Sequence, residues 1–150
     1  MKGLNLLLIV VLLGMYCFGA SVMDSFVIYN GWRFVGEAEF AKLHQEDGTR
    51  IVALFVLPML IYTVLTVLLL WFRPTGISKK LVWIALSCQI IAWLSSAFIQ
   101  IPMQFQLDKG KDAALLEQLI VSDWIRVIAG IVLTGVIIKM LFQAVKKALT

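Results

Sequence analysis

Apolar and polar positions along this chain fall into long blocks rather than short alternating runs. Four blocks, residues 4–23, 51–72, 81–103 and 127–144, are almost wholly apolar. Each holds about the 20 residues a helix needs to cross a ~30 Å hydrocarbon core. Only the last carries a charge, Lys139. Backbone N–H and C=O groups find no water in lipid, so each block is expected to be helical. The pattern predicts an all-α fold: an integral membrane, antiparallel four-helix bundle. Its helices are expected at about 4–23, 51–72, 81–103 and 124–144, in one domain covering 1–150. Two polar stretches, 24–50 and 104–123, are expected on the outer face as segments containing short helices.

The finer spacing gives these blocks faces. Phe26, Tyr29, Trp32 and Phe34 suit a membrane–water interface, and the stretch 25–36 reads as a turn or re-entrant element on the outer surface. From Glu37 the spacing is helical, and Glu37, Phe40 or Ala41, and His44 share a face. If the helix is unbroken across Gly48, that face continues through Ile51, Phe55, Pro58, Tyr62 and Thr66. Pro58 is expected to kink the helix. Residues 73–80 form a short inner turn around Pro74 and Gly76. In the third block Gln89, Trp93, Ser96, Gln100 and Gln104 follow one stripe, which faces the bundle interior because amides and hydroxyls are costly in lipid. Pro102 is expected to close that helix. Asp112 can cap a short amphipathic helix that buries Leu115, Leu116, Leu119 and Ile120. Ser122 or Asp123 is expected to cap the last long helix, with Asp123 in reach of Arg126.

Composition strengthens this picture. The chain of 150 residues is 61% hydrophobic, with a mean hydropathy of +0.95. Its net charge of +4 is unevenly spread. Lys2, Arg73, Lys79, Lys80, Lys139, Lys146 and Lys147 sit near the N-terminus, the 73–80 turn and the C-terminus, whereas the two long polar stretches are mildly acidic. Lysine and arginine mark the cytoplasmic side. Both termini are therefore expected in the cytoplasm of a multi-pass protein, with the bacterial inner membrane as its home. The basic excess then reflects topology and contact with the lipid bilayer, not nucleic acid. Lys2 followed by residues 4–14 also has the make-up of a signal peptide, with 19–21 as its cleavage site; we take the segment as the first helix. Cys17 and Cys88 are expected at different depths, too far apart for a disulfide.

Candidate chemistry is sparse. His44 is the single histidine, which excludes a multi-histidine metal site within one chain, and nothing calls for a metal or cofactor. A polar set at one depth remains: His44 with Glu37 or Asp47 nearby, Gln100, Gln104, Asp123, Trp124 and Arg126. An imidazole beside a carboxylate can act as a base. An arginine can hold an anion, and a tryptophan can stack on an aromatic ligand. These residues also have plain structural uses. His44 can be a hydrogen-bonded structural residue, Trp124 an interface anchor, Arg126 the partner of Asp123, and Gln100 interhelical glue at about 0.6 kcal/mol per contact.

The order "FVGEAEFAKLH" entering a helix, "IPMQFQLDKG" ending the next and "SDWIR" opening the last resembles the anthrone-oxygenase-like family of small four-helix membrane proteins. The likeness covers the second helix to the fourth. It implies a cofactor-free oxygenase acting on polycyclic phenolic substrates. His44 would match the family's histidine before helix two, and Trp124 with Arg126 its Trp and Arg opening helix four. Gln104 and Phe105 stand where the family often has His-Asn, and Asp123 where it often has Asn. A glutamine is no general base, so the fold can carry over without the oxygenase chemistry.

Two functions follow. The first is binding or oxidation of an apolar aromatic small molecule in an outer-leaflet pocket. His44 and Arg126 are its catalytic candidates, and Glu37, Tyr62, Gln100, Gln104 and Trp124 are its ligand-binding candidates. The second is a structural or accessory subunit, as a homo-oligomer or within a larger membrane complex. A channel or transporter fits less well, because no acidic residue lies within the apolar blocks and no inverted repeat is visible.

Overall fold

The computed structural model describes residues 2–149. The side chain of Lys2, one of the basic residues counted above, lies outside the described residues. Four long helices account for nearly all of the chain, and no strand occurs among the described residues. Helix α1 covers 2–32: an α-helix over Lys2–Met23, a π-helical turn over Asp24–Ile28 and a last turn over Tyr29–Trp32. Helix α2 covers 37–72, with Glu37–Ile51, a π turn at Val52–Val56, and Leu57–Phe72. Helix α3 covers 79–107, with Lys79–Ser95, a π turn at Ser96–Gln100, and Ile101–Leu107. Helix α4 is unbroken over Ala113–Leu149. All four are long and apolar enough to cross a membrane.

The helices thus extend beyond their apolar blocks, and most of the two polar stretches is helix. The stretch 25–36 is not a re-entrant element. Tyr29 and Trp32 bury themselves to 2% exposure on the neighbouring helices, and this burial carries α1 onward to residue 32. Pro102 does not close α3. Proline lacks the N–H that an α-helix would pair with the carbonyl four residues back. Both Pro58 and Pro102 stand in the first turn after a π segment, so the chain absorbs each proline and continues. The amphipathic helix expected after Asp112 is the opening of α4. Asp112 caps it through a hydrogen bond from Leu115 N–H at 3.0 Å. Ser122 and Asp123 lie well inside α4 and cap nothing: the Ser122 hydroxyl donates to the Leu119 carbonyl, and Asp123 turns to residues of α1 and its own helix.

Three short connections remain. Residues 33–36 lead into α2, where Glu37 and Glu39 in the first turn complement the positive end of the helix. In the 73–78 connection Arg73 is extended ahead of Pro74, and its guanidinium donates to the carbonyls of Leu70 and Ile77. Gly76 takes φ +98°, a conformation that favours glycine. Residues 108–112 join α3 to α4.

α1 packs against α2 and α4, and α3 packs against the same two helices. Two apolar clusters form between them. The larger draws on all four helices and includes Leu7, Tyr62, Leu69, Val82, Ile137 and Met140. The smaller joins Tyr29, Trp32, Phe40, Leu107, Leu116 and Leu119. The helices also present large apolar side chains outward, among them Leu12, Leu54, Trp71, Phe98, Ile128 and Phe142.

Candidate functional site

Between the two clusters lies a cavity of about 520 Å³. That is within the range of small-molecule sites, roughly 300–1,000 Å³. All four helices contribute to its wall, with Phe18, Phe55, Met59 and Leu133 among the apolar contributors. Each of the three π turns adds lining residues: Asp24 in α1, Val52, Phe55 and Val56 in α2, and Ser96 and Gln100 in α3. Insertions of this kind occur frequently at functional sites. Gly48 in α2 also lines the cavity, and a Cβ there would meet nothing within 4 Å.

One end of the cavity is closed by a chain of hydrogen bonds that ties the four helices together. His44, 2% exposed, projects from α2 between Phe40, which stacks on it at 5.5 Å, and Trp32 at 4.6 Å. Its Nδ1 lies 2.7 Å from Asp108 Oδ1, and its Nε2 lies 2.6 Å from Gln104 Oε1. Gln104 Nε2 donates to the Tyr29 hydroxyl at 3.1 Å, which also accepts from Arg126 at 2.9 Å. Arg126 pairs with Asp123, and the carboxylate of Asp123 accepts from the Ser25 hydroxyl. Asp24 lies 3.7 Å from the same guanidinium. The Arg126 guanidinium also sits 5.9 Å from the Tyr29 ring centre, over its face. Burial explains the density of contacts: a buried polar group without a partner costs about 1–3 kcal/mol.

The residues expected to form a site separate into two groups. His44, Tyr62, Gln100, Gln104 and Arg126 line the cavity. Gln100 is held by Ser95 and by the Ser122 carbonyl. Glu37 is exposed, and two helical turns, about 10 Å, separate it from His44. Trp124 is 50% exposed and packs edge-on against Phe26, outside this cavity. The carboxylate beside His44 is neither Glu37 nor Asp47. Asp47 accepts from the Trp32 indole and faces Arg50, and Asp108 takes the place at His44. Asp108 is 64 residues away in sequence, and only the tertiary arrangement brings it there. Asp24 and Tyr29 also belong to the site without having been singled out. An acid directly after the first apolar block was the signal available for Asp24.

Among the described residues two polar atoms at the cavity are buried without a hydrogen-bond partner, Asp24 Oδ1 and Tyr62 Oη. Cys17 and Cys88, both buried free thiols, line the same space near Tyr62. Among the described residues no group of three or more His, Cys, Asp or Glu side chains is placed to hold a metal ion. What the site offers chemically is an apolar chamber with hydrogen-bonding groups concentrated at one end. Comparison of the chain with protein-family models, with curated proteins and with solved structures gives no match.

Proposed function

We propose that this protein is an integral membrane binder of an apolar, aromatic small molecule, held in the cavity with its polar head toward the His44–Arg126 network. The observation that carries the reading is the cavity itself: apolar walls drawn from all four helices, ended by hydrogen-bonding groups from each of them. A few convergent polar groups in an otherwise apolar pocket are the usual make-up of a ligand site. Binding is favoured over oxidation because both ring nitrogens of His44 are engaged, by Asp108 and Gln104. A general base needs a free lone pair within reach of its proton. The resemblance to anthrone-oxygenase-like proteins favours a polycyclic aromatic as the ligand.

In this reading the helices form an antiparallel bundle in the bacterial inner membrane. The termini and the 73–78 turn lie in the cytoplasm, and the cavity lies in the outer leaflet. The lysines and arginines at the 73–80 turn and the C-terminal end support that orientation.

Native mass spectrometry of the full-length protein, extracted in mild detergent, tests the reading. The expected result is a lone chain or homo-oligomer that carries a small apolar adduct, with the adduct lost in Gly48→Leu, whose side chain would enter the cavity. A chain without adduct, or one equally occupied in Gly48→Leu, rejects it. A co-purifying protein partner in its place would support an accessory subunit.

A further inference from the structure

We propose that the head of this ligand is a cation, an ammonium group seated against Asp24 at the cavity wall. The inference builds on the binding reading above and specifies the chemistry of what is bound. Its basis is a charge imbalance together with an unused acceptor. Asp24 and Asp123 are 5% and 2% exposed, and both face the single guanidinium of Arg126. Arg126 is committed mainly to Asp123, which it contacts through both Nε and Nη2. Its distance to Asp24 Oδ2 is 3.7 Å, beyond hydrogen-bond range.

The other carboxylate of this pair of acids is thus already served. Asp123 also accepts from Ser25, whereas Asp24 Oδ1 has no hydrogen-bond partner among the described residues. Among the described residues no further cation pairs with Asp24. His44 is bonded to Asp108, and Arg50 faces Glu46 and Asp47. Two carboxylates share one guanidinium in a buried place, where a carboxyl group is costly unless it is paired or takes up a proton. A monocation in the cavity closes that account. The carboxylate torsion of aspartate is soft and roughly two-fold, so a small turn presents Oδ1 to the chamber. Tyr62 Oη, the second unpartnered atom, packs against Gly14, ten residues before Asp24 on α1. Ten residues of helix rise about 15 Å. The chamber therefore suits a flat or elongated apolar body with its ammonium at Asp24 and its far end near Tyr62.

Three probes of one shape test the idea: 9-(aminomethyl)anthracene, 9-anthracenemethanol and 9-anthracenecarboxylate, cationic, neutral and anionic in turn. Each is titrated into the full-length protein in nanodiscs, with empty nanodiscs as the partition control. Binding is read by energy transfer from Trp93, a cavity residue, and checked with Trp93→Phe. The expected result is that the ammonium binds about tenfold or more tightly than the alcohol, the size of one charge-assisted hydrogen bond, and the carboxylate binds least. Asp24→Asn should bring the ammonium down to the level of the alcohol. If the alcohol or carboxylate binds as tightly as the ammonium, the cation proposal is overturned while the binding reading stands. The wild-type series alone decides this even if Asp24→Asn does not fold. If no probe binds above empty nanodiscs, both fall.

Discussion

The hydroxyl of Tyr16 on α1 donates to the backbone carbonyl of Leu54 on α2 at 2.7 Å. Leu54 is the residue four positions before Pro58, whose missing N–H would otherwise pair with that carbonyl in an α-helix. A side chain of one helix thus repairs the backbone of its neighbour. Tyr16→Phe should lower stability by ~1–2 kcal/mol, because the Leu54 carbonyl loses its side-chain donor. In a Pro58→Ala background, where residue 58 can donate again, the same substitution should be close to neutral. Thermal unfolding of the four proteins in one detergent checks this. Equal effects in both backgrounds would sever the link between Tyr16 and Pro58.

His44 should matter for stability whatever it does for a ligand. Truncation to alanine opens a void between Trp32 and Phe40 and strips Asp108 and Gln104 of their shared partner. We expect His44→Ala to lose ~2–4 kcal/mol. Asp108→Asn, with a side chain 35% exposed, should lose less than half as much. Unfolding midpoints of the two variants give the comparison, and a larger loss for Asp108→Asn would reverse our ranking.

Two glycines of the cavity wall should respond in opposite directions. At Gly14 a Cβ would stand 2.9 Å from Tyr62 Oη and 3.0 Å from Ile137 Cδ1, so Gly14→Ala should lose ~1–3 kcal/mol through overpacking. Tyr62→Phe in the same chain should recover part of that loss. At Gly48 there is open space, and Gly48→Ala should raise stability by up to ~1 kcal/mol through helix propensity alone. A destabilised Gly48→Ala, or an unaffected Gly14→Ala, would contradict the packing described.

Orientation can be read with single cysteines placed in the exposed turns. With Cys17 and Cys88 replaced by alanine, Lys109→Cys in intact spheroplasts should react with a membrane-impermeant maleimide. Thr75→Cys should react only after permeabilisation. The opposite pattern would invert the proposed topology.

The four helices were legible because each apolar block is long enough to demand a helix on its own. Their true ends were not. The extension of α1 through Tyr29 and Trp32 depends on what those rings meet, and both looked like interface aromatics in the sequence. Pro102 read as a stop because local chemistry forbids an α-helical hydrogen bond there, and a π turn removes that conflict. Gln100 and Gln104 could be placed on an inward stripe from spacing and desolvation cost. The partner of His44 could not, because Asp108 lies in a turn at the far end of another helix. Asp24 carried a readable signal, an acid bordering an apolar block. Its neighbours Arg126 and Asp123 come from the opposite end of the chain.

A π turn spans five residues between donor and acceptor where an α turn spans four. It therefore takes up one extra residue, so each residue beyond it faces where an unbroken α-helix would put the residue before it, about 100° away. In α1, α2 and α3 the sections before and after the π turn are out of phase with each other, while α4 keeps a single phase from Ala113 to Leu149. The molecule behaves as two decks threaded on one continuous mast, with the cavity at the level where the other three helices change step. Substitutions above that level leave the facing of residues below it untouched. Deleting one residue from 24–28, 52–56 or 96–100 would let that turn close as an ordinary α turn with both half-helices keeping their faces, and the chamber would lose the lining that the wider turn supplies.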